Sequence, residues 1–216
     1  GRELCDRAIA IDPSFARGQV YRSFSYTVGI LTSESENVGE WRRQALYSAE
    51  QAVALDAGDA WSHWAMAEAA YINRQYDRCR TEITLALALN PNDADLLSIY
   101  GFIKVGLGDI EEALRSIDSA IERNPAVPTW HNWLRGAVLY QAGRYDEAIR
   151  SLEAYGQPNA SILRWRAATL VKLGRIGEAQ AAMKALLAMR PNLDAATLRD
   201  ALGYLPIIED LMATLR

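Results

Sequence analysis

The sequence has few of the residues that do chemistry. Its 216 residues include two cysteines and two histidines, too few for a disulfide framework or a zinc site of ordinary composition. Cys5 and Cys79 fall on inward-facing positions of a repeat and are expected as buried thiols in a reducing cytoplasm. His63 and His131 stand 68 residues apart, and neither has a glutamate or a second histidine at metal-ligand spacing. Both are read as helix-packing residues. A phosphate-cradling glycine loop and a nucleophile elbow are also missing. The acidic pairs Glu111-Glu112 and Asp146-Glu147 are explained as helix openers at the positive end of a helix dipole. The segment is therefore expected to be non-catalytic, with no cofactor and no metal. Basic blocks are absent and the formal charge is −4, which argues against nucleic acid as a partner. Charges interrupt every apolar run well before the ~18 residues of a membrane span. No membrane association is expected, and the location is read as cytoplasmic.

What the sequence does have is apolar content and a period. Half of the residues are hydrophobic and 23% are charged, which suffices for a core and excludes disorder. One phrase returns along the chain: Ala8-Ile-Ala-Ile-Asp-Pro13, Ala52-Val-Ala-Leu-Asp-Ala57, Ala86-Leu-Ala-Leu-Asn-Pro91 and Ala120-Ile-Glu-Arg-Asn-Pro125. Ala57 to Pro91 and Pro91 to Pro125 are each 34 residues, and Pro125 to Pro158 and Pro158 to Pro191 are each 33. A fixed period of this length marks stacked supersecondary units. Pro13 to Ala57 is ten residues longer, and the polar stretch 30–40 takes up the excess as a loop between two helices.

Each unit reads as a helical hairpin. Leu97, Tyr100, Gly101 and Lys104 recur at helical spacing. Gly106, Leu107, Gly108 and Asp109 break the pattern, with glycine ending one helix and aspartate capping the next. Ala113, Ile117 and Ala120 then form the small face of a second helix, and Asn124-Pro125 closes the unit. The same features recur as Ala67, Cys79, Ile83, Ala86 and Pro91, as Gly136, Gly143, Tyr145, Ala148 and Leu152, and as Ala167, Gly174, Ala179, Met183 and Pro191.

This register resembles the tetratricopeptide repeat family from about Arg2 to Pro191. The fold class it implies is all-α, a right-handed superhelical solenoid of antiparallel helix hairpins. A half repeat at 1–13 is followed by repeats at about 14–57, 58–91, 92–125, 126–158 and 159–191. Capping helices over 192–216 carry Leu198, Leu202, Ile208, Leu211 and Leu215 as apolar anchors. Three departures stand out: Cys79 where alanine is usual, Ala57 in place of the terminal proline, and Tyr155-Gly-Gln-Pro158, which ends a second helix early. Residues 1–12 supply only the second helix of a unit, so the chain reads as cut from a larger protein.

In the geometry the resemblance implies, first helices line a concave groove. Its partner-binding residues would be Arg17, Phe24, Trp61, Trp64, Glu68, Tyr71, Asp95, Phe102, Trp130, Trp133, Tyr140 and Arg164. Aromatic side chains dominate protein–protein hot spots, so such a groove suits an apolar or proline-rich peptide, or a helix. The competing structural reading has the four tryptophans filling space between neighbouring first helices. Carboxylate-tail clamping of heat-shock chaperones, known in this family, is disfavoured by Val20, Phe24, Trp64, Glu68 and Ser98 at the clamp positions. The function expected is a scaffold or regulatory domain that binds a protein, a peptide or another domain of its parent chain. The run Asn124-Pro-Ala-Val-Pro128-Thr-Trp130 with Gly143-Arg-Tyr-Asp-Glu-Ala148, the loop before Trp41 and the Leu205-Pro206 tail resemble repeat arrays that follow bacterial adenylate/guanylate cyclase or winged-helix regulator domains. Two other readings stay open: an accessory domain of an enzyme whose catalytic part lies elsewhere, and a self-association module forming a homodimer through the open N-terminal face.

Overall fold

The computed structural model describes residues 1–31, 37–124, 128–156, 158–191, 193 and 210. The expected capping helices over 192–216 lie outside these residues except for Leu193 and Asp210, as do residues 32–36 of the long loop and Pro125. The described residues form helices and contain no strand: α1 (Arg2–Ile11), α2 (Ala16–Leu31), α3 (Val38–Leu55), α4 (Ala60–Ile72), α5 (Tyr76–Leu89), α6 (Ala94–Gly106), α7 (Ile110–Arg123), α8 (Trp130–Gln141), α9 (Tyr145–Glu153), α10 (Ala160–Lys172) and α11 (Ile176–Met189). They fall into two compact units, Gly1–Leu96 and Leu97–Arg216.

In the first unit α2 packs on α1, α3 and α4, and α4 packs on α3 and α5. In the second, α8 packs on α7, α9 and α10, and α10 packs on α9 and α11. Side-chain oxygens start several of these helices: Asn37 accepts from the Glu40 amide, Asp59 from Trp61, Asp109 from Glu112 and Asn159 from Ile162. Each satisfies an amide that has no partner inside its helix.

Small residues set the distance between the helices of a pair. A Cβ on Gly101 would lie 2.9 Å from the carbonyl oxygen of Ala113, so α6 touches the backbone of α7. Ala113, Ile117 and Ala120 on the facing stripe are fully buried. A hydroxyl fastens this approach in three hairpins. Ser23 donates to the carbonyl of Ala45 at 2.9 Å, Ser116 to that of Leu97 at 2.8 Å and Ser151 to that of Asn132 at 3.0 Å. Each of these bonds contributes about 1 kcal/mol.

The turns inside the hairpins are left-handed. Gly108, Gly143 and Gly174 have φ of 87°, 73° and 71°, and the amide three residues past each helix end reaches back to a carbonyl of the last turn, as Asp109 does to Lys104. This closure needs a residue that tolerates positive φ. Arg74 holds the matching place after α4 with φ 60°. A left-handed L-residue costs roughly 1–2 kcal/mol, against a smaller entropic cost of glycine in the unfolded chain. The variant R74G is therefore expected to be more stable by about 0.5–1 kcal/mol, measured as a shift of the urea midpoint at unchanged slope.

The second helix α9 has 9 residues, against 14 in α5, α7 and α11. It ends where Gly156 takes φ 89°, just before Pro158.

Candidate functional site

In the first unit, four aromatic rings pack between α2 and α4. The Phe24 centroid lies 4.9 Å from that of Trp64 and 6.3 Å from that of Trp61, and the two tryptophans are 4.8 Å apart. Tyr21 leans on Trp61 at 6.1 Å and on Phe24 at 6.3 Å. All the pairs are tilted or edge-on, the arrangements ring quadrupoles favour. Trp64 is 6% exposed, whereas Phe24 and Trp61 are half-buried and Tyr21 is 50% exposed. The cluster therefore has a buried base and an open aromatic edge.

Charges border that edge. The Arg17 guanidinium lies 4.7 Å from the Trp61 ring centre and pairs with Asp59 at 2.9 Å. At the other end Glu68 accepts from Trp64 Nε1 at 2.8 Å and from Thr27 Oγ1 at 2.9 Å. Burial raises the Glu68 carboxyl above its ordinary range, and the two donors oppose the rise without cancelling it. Cys79 is fully buried; burial and, secondarily, the negative charge of Glu68 push its thiol up to about 12, so it is an inert core residue.

The raised Glu68 carboxyl binds its proton more readily in the folded chain than in the unfolded one. Its contribution to stability is complete below the unfolded value and is lost as pH rises through the folded value. An uncharged isostere avoids that loss. E68Q is expected to be the more stable protein at pH 7 by about 1 kcal/mol, with the gap closing as the pH falls, in parallel urea titrations of both proteins.

His63 ties α4 to its surroundings. Its Nδ1 lies 2.6 Å from a Glu82 carboxylate oxygen on α5, and its Nε2 lies 3.0 Å from the carbonyl of Ala57. Tyr71 is 4% exposed and packs edge-on against Tyr76 at 6.0 Å. Asp95 is half-buried in the first turn of α6.

The second unit brings a different set together. Phe102 and Trp133 have centroids 5.6 Å apart, and Trp130 lies 3.9 Å from the ring of His131. His131 is fully buried, and its Nδ1 lies 2.6 Å from the Ser98 hydroxyl. Trp130 and Trp133 are half-buried, and the buried Nε1 of Trp133 has no hydrogen-bond partner among the described residues. Tyr140 packs against Tyr145 and Trp165 and donates to Asp210, which also pairs with Lys172 at 2.9 Å. Burial and the Asp210 charge both raise its phenol. Arg164 is 1% exposed and donates to Ser161 Oγ at 3.0 Å.

The residues expected to line a groove differ in exposure. Trp64, Tyr71, Phe102, Tyr140 and Arg164 are buried; Phe24 of α2 packs on Trp64, Tyr76 of α5 on Tyr71, Trp133 of α8 on Phe102 and Trp165 of α10 on Tyr140. Arg17, Phe24, Trp61 and Glu68 form one partly open face in the first unit; Trp130 and Trp133 remain half-open in the second. Tyr21 belongs to the open face although its register position is not a groove position. Its place four residues after Arg17 and three before Phe24 carries that signal. Among the described residues no group of three His, Cys, Asp or Glu side chains is placed to hold a metal ion, and no described helix is long and apolar enough to cross a membrane.

Residues 103–161 match the tetratricopeptide repeat family model. Nothing among the curated proteins matches the chain. Among solved structures it is similar to PilW, described as a widely conserved type IV pilus biogenesis factor, at 22% identity and a TM-score of 0.65, covering 93% of this chain and 91% of that one. It is also similar to a chain of the Cut9–Hcn1 hetero-tetramer of APC/C, at 17% identity and a TM-score of 0.69, covering 93% of this chain and 39% of that one. A thermophilic TPR protein of Thermus thermophilus aligns at 19% identity and a TM-score of 0.62, over 77% of this chain and 91% of that one. Helical hairpins closed by left-handed turns, the match of residues 103–161 to the tetratricopeptide repeat model and these neighbours agree, and the chain has the helical-hairpin fold of tetratricopeptide repeat proteins.

Proposed function

We propose that this chain is a protein-binding scaffold and that the face built by Tyr21, Phe24 and Trp61, bordered by Arg17 and Glu68, takes a protein or peptide partner. The observation behind this reading is the half-open aromatic edge laid on the buried Trp64. Large apolar rings left part-exposed beside charged groups are the composition of interaction hot spots. A short extended or helical segment with apolar side chains at alternate or i, i+3, i+4 positions suits such an edge. The fold supports the same reading, since repeat arrays present extended surfaces to other polypeptides, and two of the structural neighbours are named for a pilus biogenesis factor and a hetero-tetramer. Under this proposal the chain holds a partner and does no catalysis itself. A role beside a nucleotide cyclase or winged-helix regulator domain is the finer form of the proposal.

The experiment is capture of partners by the wild-type chain and by the double variant F24A/W61A, with helical CD and urea midpoints recorded on both. Loss of capture by a folded variant supports the proposal. Capture that survives in the double variant sinks it.

A further inference from the structure

Two charges border the aromatic face of the first unit, and only one of them is met by an opposite charge. At the Trp61 end the Arg17 guanidinium pairs with Asp59 at 2.9 Å and lies 4.7 Å from the Trp61 ring centre, so its charge is balanced on the spot. At the other end stands Glu68, half-buried on α4. No Lys, Arg or His among the described residues pairs with its carboxylate. Its partners are two neutral donors: Trp64 Nε1 reaches one oxygen at 2.8 Å and the Thr27 hydroxyl reaches the other at 2.9 Å. The Thr27 hydroxyl has a single proton and also stands 3.2 Å from the Phe24 carbonyl, so even that donor is shared.

Holding a carboxylate in a partly desolvated place without a cation costs free energy. The tie between α2 and α4 does not need that charge. A glutamine amide would accept from Trp64 Nε1 through its oxygen and donate to the Thr27 hydroxyl through its nitrogen, and the Thr27 proton would then be free for the Phe24 carbonyl. What the carboxylate adds over the amide is attraction for a cation, at a place where rings are already left part-exposed.

We infer that Glu68 seats an arginine side chain of the partner segment taken by the Tyr21, Phe24 and Trp61 face. The seat rests on the reading of that face as a binding face and adds the chemistry of its occupant. Arginine suits it better than lysine. Each Glu68 oxygen has one protein donor and room for a second, and a guanidinium offers two parallel donors to two such oxygens where an ammonium offers a point charge. A guanidinium also settles over aromatic rings, as Arg17 does over Trp61 in the same unit, and the ring of Trp64, packed on Phe24, adjoins the carboxylate. Trp61 and Glu68 are seven residues apart on α4, about 10 Å along its axis. About three residues of extended chain span that distance. The segment therefore carries its arginine about three residues from an apolar side chain that rests on Trp61 and Phe24.

The test selects random dodecapeptides displayed on phage against the intact chain and sorts the recovered peptides by whether the folded F24A/W61A protein still binds them. Those that need Phe24 and Trp61 are expected to be enriched in arginine over the unselected library. One of them is then synthesised twice, with its arginine and with citrulline, which keeps the shape and loses the charge. On the wild-type chain citrulline is expected to weaken binding at least about tenfold, a comparison that needs no variant to fold. On E68Q, with helical CD and urea midpoint recorded, the two peptides are expected to bind within about twofold of each other, since the amide keeps its ties to Trp64 and Thr27 and offers the guanidinium no charge. Face-dependent peptides without excess arginine, or a citrulline loss of equal size on wild type and E68Q, overturn the arginine seat and leave the binding face standing. A selection that returns no peptide dependent on Phe24 and Trp61 overturns the face itself, and the seat with it.

Discussion

Replacing Gly101 by leucine is expected to remove about 3 kcal/mol or more of stability. The Cβ alone would meet the Ala113 carbonyl oxygen at 2.9 Å, and a backbone oxygen inside a helix cannot rotate away. Relief requires α6 and α7 to separate, which opens the contacts of the fully buried Ala113, Ile117 and Ala120 and lengthens the 2.8 Å bond from Ser116 to Leu97. Gly136 supplies the comparison. Its Cβ would lie 2.6 Å from Leu152 Cγ, but a leucine side chain can change rotamer. Alanine at 101 should therefore cost more than alanine at 136, since both gain the same ~1 kcal/mol of helix propensity. Urea unfolding followed by CD measures the losses, and hydrogen exchange of α6 and α7 amides locates them. A Gly101→Leu protein as stable as its parent would show that the hairpins tolerate wider spacing than the close approach implies.

Trp64→Ala and Trp61→Ala are expected to behave differently although the residues are three apart on one helix. Trp64 is 6% exposed, packs on Phe24 and Trp61 and donates to Glu68 at 2.8 Å. Truncating it leaves a cavity and costs about 3–5 kcal/mol, with Glu68 losing a donor in a partly desolvated place. Trp61 is half-buried at the edge, and its truncation should cost about 1 kcal/mol of stability. Partner affinity should respond in the opposite order. Trp61→Ala, alone or with Phe24→Ala, should lose about 2 kcal/mol or more of binding, near thirtyfold in Kd. Equal stability losses for the two tryptophans would mean that the open edge is core after all.

Most of the fold is visible in the sequence. The 34-residue spacing of Pro91 and Pro125, the small stripe of Ala113, Ile117 and Ala120, and the turn glycines at 108, 143 and 174 each state a local requirement: where a helix must stop, which face must be thin, where φ must be positive. Such requirements concern neighbours in the chain and so can be read from it. The left-handed turn at Arg74 is not visible, because nothing about arginine announces positive φ. The serine-to-carbonyl bonds of Ser23, Ser116 and Ser151 are also hidden, since a serine on a helix face serves equally well in water.

The proposed binding face was legible only as a direction. Helical periodicity puts Phe24, Trp61, Trp64, Phe102 and Tyr140 on the first-helix face, but it cannot say how deep each side chain lies. Depth depends on how closely the next first helix approaches. The sequence by itself determined the repeat, the hairpins and their turns, because these follow from residue size, backbone freedom and spacing. Only the tertiary structure decided that Trp64, Phe102, Tyr140 and Arg164 are enclosed while Tyr21, Phe24 and Trp61 keep an open edge. Enclosure is a property of inter-helix distance, and that distance is set jointly by residues far apart in the chain.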